Sequence, residues 1–291
     1  MTNIKKYLSI DIGGTSIKYG IFNENLNPLF INSITTIPIK DELLKQIIDI
    51  IISSLPLDGI SIATAGVVDK NGVIKFANQN IKDYFNFDLK TYIKDFLITY
   101  KNLVPIEIIN DANSASYIEY VNNKTIKNSV TLTLGTGVGM GIILNGELFL
   151  ANNGIAGEIG AIKNFNQYID TDLSWTKFIK KLNQNKYHYN SNDIWTLYNK
   201  NDFYKTEIEN YLDKLVNLLC TISYILSPQV IYLGGGFSYC SEQILGLINN
   251  KFKKEFVFYD INPINIKYTS NKNDSGLLGV LHLLVDKHFK N

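Results

Sequence analysis

Two stretches of this chain share one pattern: an apolar strand-like run, a glycine–threonine turn, and a second strand-like run where a helix would be more usual. The first is YLSIDIGGTSIKYGIF, residues 7–22, and the second is SVTLTLGTGVGMGIIL, residues 129–144. Short apolar runs bounded by glycine and polar residues predict strands, and the glycines fold one strand back beside the next. A phosphate loop of the GxxxxGK[ST] kind and a dinucleotide fingerprint both need a helix after the glycines. Here SIKYGIF follows instead. A hairpin can still cradle phosphates, because glycines let backbone N–H groups approach phosphate oxygens. By itself the first turn is equally a plain tight hairpin. Two such turns, one per half of the chain, can grip a phosphate chain from both sides.

The pattern extends beyond the turns. Each pair of strands leads through a second turn, Asn-rich in the first half and Asn145-Gly146 in the second, into a third strand. Asn-Gly between apolar runs is a strong hairpin signal. DELLKQIIDIIISSL has helical spacing behind an acidic first turn. GISIATAG and VPIEIIND read as short buried strands, and ANSASYIEYV continues as a helix. Helical stretches follow around 171–183 and 205–226, then the strand QVIYLGGG, a helix near 241–253, the strand INIKYT and a closing helix from about 275. Two related α/β halves result, with no low-complexity linker. The expected domains are 1–110 together with the C-terminal helix (about 275–291), and a larger one, 111–274.

Composition removes several classes of function. At 45% hydrophobic and 19% charged residues the chain suits an ordinary globular protein. A net charge of +1 gives no reason to expect nucleic acid or a membrane surface as partner. No apolar run is long enough to span a bilayer and the N-terminus carries no leader pattern, so the expected location is cytoplasmic. Cys220 and Cys240 are the cysteines and His188, His282 and His288 the histidines; none forms a CxxC or HxxxH pair. That spacing argues against structural zinc and against a disulfide framework.

Four further places hold candidate chemistry. Asp11 ends the first strand and is suited to hold Mg²⁺ through water. Asn110 and Asp111 end an apolar strand before a helix, where ligands gather in open α/β sheets; capping of that helix by Asp111 or Asn113 is the competing explanation. In GIAGEIGA, residues 154–161, Glu158 is a lone carboxylate among small uncharged residues. Burying it requires donors around it, and an exposed turn is the bland alternative. A third glycine cluster, Gly234-Gly235-Gly236, ends a strand where close approach to an adenosine is open.

Together DIGGTSIK, ATAGVVDKNGVIKFAN, NDANSA, LGTGVGMGI and AGEIG resemble, in order and spacing, the ROK family of sugar kinases. The resemblance covers nearly the whole chain. It implies a two-domain α/β fold of the actin/hexokinase-like (ribonuclease H-like) type around an interdomain cleft, ATP with Mg²⁺, and a hexose or amino-hexose acceptor. Carried over by position, it makes Asp111 the base that accepts the sugar hydroxyl proton. It makes Gly66, Asn78, Asn110 and Glu158 sugar-contacting. Gly13, Gly14, Thr15, Thr136 and Gly137 become the phosphate-binding turns, and Gly235 lies in the nucleoside loop. Phosphoryl transfer needs positioning, charge neutralisation and one well-placed carboxylate, which suits this set.

The departures are informative. Where the family pattern has a His three residues after Glu, this chain has Ala161. Where the family has a Cys-rich zinc motif with a further sugar-binding Glu, this chain has KNFNQYIDTDLSW, without Cys or His. The expectation is a kinase with no structural zinc and with two polar sugar contacts missing. The resemblance then points to phosphorylation at O6 of N-acetylmannosamine, giving N-acetylmannosamine 6-phosphate in sialic acid catabolism, with glucokinase or fructokinase as alternatives. A repressor of this family is expected to carry a DNA-binding segment before DIGGT, and ten residues precede Asp11. A non-catalytic sugar sensor is the reading from another class. Family members are commonly homodimers, so a dimer is expected.

Overall fold

The computed structural model describes residues 4–77, 81, 83–164, 166–184 and 186–290. The chain forms two compact units: residues 1–121, 150–156 and 274–291, and residues 122–149 and 157–273. The sequence expectation divided the chain after residue 110. The helix Asp111–Asn122 stays with unit 1 through residue 121, and residues 150–156 join it.

Unit 1 is built on a five-stranded sheet in the order Pro28–Thr35, Ser16–Phe22, Tyr7–Ile12, Gly59–Thr64, Ile106–Asn110. The first three strands form an antiparallel meander, and the last two run parallel to Tyr7–Ile12. The parallel strands are buried almost throughout, as strands covered on both faces must be. Helix Lys40–Ser54 covers one face with Leu43, Leu44, Ile47, Ile50 and Ile51, which pack in one core with Ile10, Ile12, Ile60 and Ile62. Helix Ser275–His288 packs Leu277, Leu281 and Leu284 against Tyr7 and Phe22. The unit also holds a helix that the sequence reading left out, Leu89–Thr99, whose N-terminus is capped by the Asp88 side chain accepting from Thr91 N.

Unit 2 repeats the order: Glu147–Leu148, Val138–Leu144, Ser129–Leu134, Val230–Gly234, Asn265–Tyr268. Again an antiparallel hairpin leads into parallel strands. Asn145 and Gly146 both take positive φ, +53° and +80°, the backbone of the tight hairpin expected from Asn-Gly. The expected helix near 171–183 is two, Ile169–Asp172 and Trp175–Asn183. The break falls at Ser174, whose side chain caps the second helix by accepting from Lys177 N. Trp175, Phe178, Tyr211 and Phe237 interlock below it, with ring centroids 4.5–5.3 Å apart in the closest pairs. Among the described residues, no helix is long and apolar enough to cross a membrane.

Candidate active site

In unit 1 the first glycine turn closes on itself: Gly13 N donates to Ser16 O at 3.0 Å. Thr36 ties it down, its Oγ1 donating to Gly13 O at 2.7 Å and its backbone N to Thr15 O at 3.0 Å. Gly14 and Thr15 are exposed, and a Cβ added at Gly14 would meet nothing within 4 Å. The turn therefore leaves open space over its backbone.

Asp11 sits at the base of this turn, opposite Lys18 in the antiparallel register. Burial pushes its carboxyl up to about 7; the neighbouring Asp111 charge pushes the same way, and Lys18 only partly offsets them. Lys18 is itself held by Asp274, with Nζ 2.7 Å from Oδ1. Close packing fixes Asp11, since a Cβ at Gly276 would lie 2.5 Å from its Oδ2. A glycine is needed at that point for helix Ser275–His288 to approach.

Asn110 organises the end of the Ile106–Asn110 strand. Its Oδ1 accepts from the backbone N of Ala112 at 2.9 Å and of Asn113 at 3.1 Å, so Asn110 caps the following helix. Its Nδ2 donates to Gly66 O and to Asp111 Oδ1, each at 3.0 Å. Asp111 Oδ1 also accepts from Ala112 N at 2.9 Å. Burial nonetheless holds the Asp111 carboxyl above the ordinary range, with those hydrogen bonds working against the shift. Gly66 has φ +100°, and a Cβ there would lie 2.4 Å from Phe76 O. Unit 1 thus brings together Asp11, Gly13, Gly14, Thr15, Gly66, Asn110 and Asp111. Asn78 lies outside the described residues.

In unit 2 the second turn has a different support. Gly135 N donates to Gly137 O at 3.0 Å, and the remaining anchors come from residues 170–176. Val138 N donates to Asp170 Oδ1 at 2.6 Å, Ser174 Oγ to Thr136 O at 2.7 Å, and Thr176 N to Gly135 O at 3.1 Å. Thr136 is exposed at the tip. Gly235, with φ +68°, comes so close to the strand below that a Cβ would lie 2.5 Å from Leu134 O. Its loop is joined to the same support: Ser191 Oγ accepts from Trp175 Nε1 at 2.8 Å and donates to Gly236 O at 2.6 Å. Glu158, half-buried, opens the short turn Ile159–Ala161. Gly157 before it has φ +92° and crowds Met140 O; Gly160 after it packs on Val138 O and Asp170. Unit 2 thus gathers Thr136, Gly137, Glu158 and Gly235.

Asp170 is the residue that sequence reasoning missed. It lies inside KNFNQYIDTDLSW, read above only for its lack of Cys and His. Its partner Val138 is 32 residues away, and no local periodicity signals such a contact. Its place four residues before the Ser174 helix cap was the available clue. Among the described residues, no group of three or more His, Cys, Asp or Glu side chains is arranged around a metal position.

The repeated sheet, the two glycine turns and the Asn110–Asp111 strand end define an α/β protein of the actin/hexokinase-like class, and the chain belongs to the ROK family, whose model matches residues 7–287. An uncharacterized protein of Clostridium perfringens is 30% identical over 286 residues, spanning 94% of this chain and 95% of that one. The N-acetylmannosamine kinase of Vibrio cholerae serotype O1 is 32% identical over 157 residues, 53% of each chain. The crystal structure of a ROK family glucokinase from Streptomyces griseus, in complex with glucose and AMPPNP, superimposes with a TM-score of 0.78 at 20% identity. That likeness covers 97% of this chain and 99% of the other, and it shows a shared fold.

Proposed function

We propose that the protein is an ATP-dependent sugar kinase acting at O6 of a hexose or N-acetylhexosamine, with N-acetylmannosamine the favoured acceptor. The observation that carries the reaction is Asp111. Its carboxylate is fixed by Asn110 Nδ2 and Ala112 N, desolvated, and raised in pKa beside the first glycine turn. A base of raised pKa is better matched to taking a proton near neutral pH. In the transfer, the sugar hydroxyl oxygen bonds to the γ-phosphorus, the bond from that phosphorus to the β–γ bridging oxygen breaks, and the hydroxyl proton passes to Asp111. Backbone N–H groups at a glycine turn offer donors to phosphate oxygens. Asp11 offers hard carboxylate oxygens that would suit Mg²⁺ held through water, and the ion would supply charge neutralisation on the transferring phosphate.

The choice of sugar rests on unit 2. Glu158 offers an acceptor for sugar hydroxyls, and Ala161, exposed at the end of the same turn, offers neither donor nor acceptor. A site discriminates hydroxyl-rich ligands through polar partners, and a methyl group leaves volume for an acetamido substituent. Similarity to the Vibrio cholerae N-acetylmannosamine kinase supports the same acceptor. The test is a sugar panel scored by kcat/KM at one ATP concentration. N-acetylmannosamine should exceed glucose; a clear preference for glucose overturns the acceptor and leaves the kinase reading standing.

A further inference from the structure

Asp170 stands at a junction of two features that the proposed function uses separately. Its Oδ1 accepts from Val138 N at 2.6 Å, directly after the turn assigned to the donor's phosphates. The same oxygen would lie 2.4 Å from a Cβ at Gly137 and 2.9 Å from one at Gly160. Gly160 is two residues beyond Glu158, and its own Cβ position lies 2.6 Å from Val138 O. The helical turn bearing Asp170 is joined to the same segment, with Ile169 N donating to Ile162 O at 2.9 Å. One short carboxylate therefore touches the donor turn on one side and the acceptor segment on the other, and both contacts require glycine.

We propose that Asp170 is a positioning residue that couples the donor turn to the Glu158 segment, so that occupancy of either one sets the geometry of the other. This rests on the kinase reading. A charge-assisted hydrogen bond is short and directional, and it holds Val138 N–H toward Asp170. With glycine on both flanks there is no side chain to absorb a displacement. A shift of the acceptor segment therefore moves the carboxylate, and the carboxylate moves the turn. Close-packed contacts transmit such shifts instead of dissipating them.

The full chain is titrated with Mg²⁺-ADP in the absence and presence of saturating N-acetylmannosamine, and the ratio of the two Kd values measures the coupling. Wild-type protein should show a ratio differing from one by about fivefold or more. Asp170→Ala should bring the ratio to about one, whereas Asp170→Asn, whose side-chain oxygen can still accept from Val138 N, should retain most of it. A merely structural role would lower Tm and weaken both ligands while leaving the ratio intact. If Asp170→Ala does not fold, Gly160→Ala serves: a methyl pressed on Asp170 should alter ADP affinity measured without sugar. A wild-type ratio of one, an unchanged ratio in Asp170→Ala, or an unchanged ADP affinity in Gly160→Ala overturns the proposal. When any of these accompanies normal sugar phosphorylation, the kinase reading survives; absence of turnover on every sugar removes both.

Discussion

The two glycine turns occupy the same place in the same sheet order, yet they are held in different ways. The first, Gly13–Gly14–Thr15, is braced by Thr36 from the end of its own meander and stands over Asp11, opposite Lys18 and electrostatically coupled to Asp111. The second, Gly135–Thr136–Gly137, is braced by Asp170, Ser174 and Thr176 from a distant segment. A shared backbone geometry is thus supported in two ways. One turn stands beside two carboxyls of raised pKa in its own unit; the other takes its shape from residues 170–176.

The sharpest way to break this contrast is at Asp111. Asp111→Asn should keep the hydrogen bond from Asn110 or its equivalent and lose the base, lowering kcat by about 10²–10⁴-fold with sugar KM nearly unchanged. Near-normal turnover would place the chemistry elsewhere.

Glycine substitutions should separate the turns next. In the first, Gly14→Ala enters open space. Tm should stay within about 1 °C while KM for ATP rises about tenfold, because the methyl sits where phosphate approaches. In the second, a methyl at Gly137 meets Asp170 Oδ1 at 2.4 Å. Gly137→Ala should cost about 1–3 kcal/mol, visible as a lower Tm before any ligand is added. Equal effects on Tm would erase the distinction.

A third comparison uses pH. The Asp11 carboxyl is raised from 3.8 to about 7 in the folded protein, so between those values the folded state holds a proton that the unfolded chain releases. This contribution to stability is complete at low pH and is lost as pH rises through about 7. Tm measured without nucleotide or Mg²⁺ should therefore decline from about pH 5 to about pH 8 more steeply in wild type than in Asp11→Asn. Parallel curves would show that Asp11 is not the group responsible.

The smallest effects belong to the hydroxyl braces. Thr36→Val removes one hydrogen bond to Gly13 O, and Ser174→Ala removes both the bond to Thr136 O and a helix cap. Each should cost about 1 kcal/mol, with Ser174→Ala the larger because two functions are lost. Chemical denaturation resolves the two, and the reverse order would mean that the first turn depends more on its brace.

Much of this architecture was legible in the order of residues. The alternation in YLSIDI and SIKYGIF, the glycines between them, and the aspartates beside two strand ends (Asp11 and Asp111) are local signals, and the strands form where those signals lie. Helix capping is shared: Asn110 Oδ1 takes the N–H groups of Ala112 and Asn113, Asp111 Oδ1 also accepts from Ala112 N, and Asn110 Nδ2 meets Gly66 and Asp111. Asp170 was not legible, because an acid in a Cys-free loop looks like any solvated acid until Val138 is brought to it.

The sequence by itself determined the two hairpins, the parallel strands behind them and the family, since strand periodicity and glycine turns act over a few residues. The tertiary structure alone decided the charge on Asp11 and the bracing of the second turn. Asp11 is desolvated by packing that includes Gly276, 265 positions along in the numbering, and the second turn is shaped by Asp170, 32 residues from Val138. A carboxyl's ionisation and a turn's rigidity depend on what surrounds them in space, and those neighbours are chosen only when the chain closes on itself.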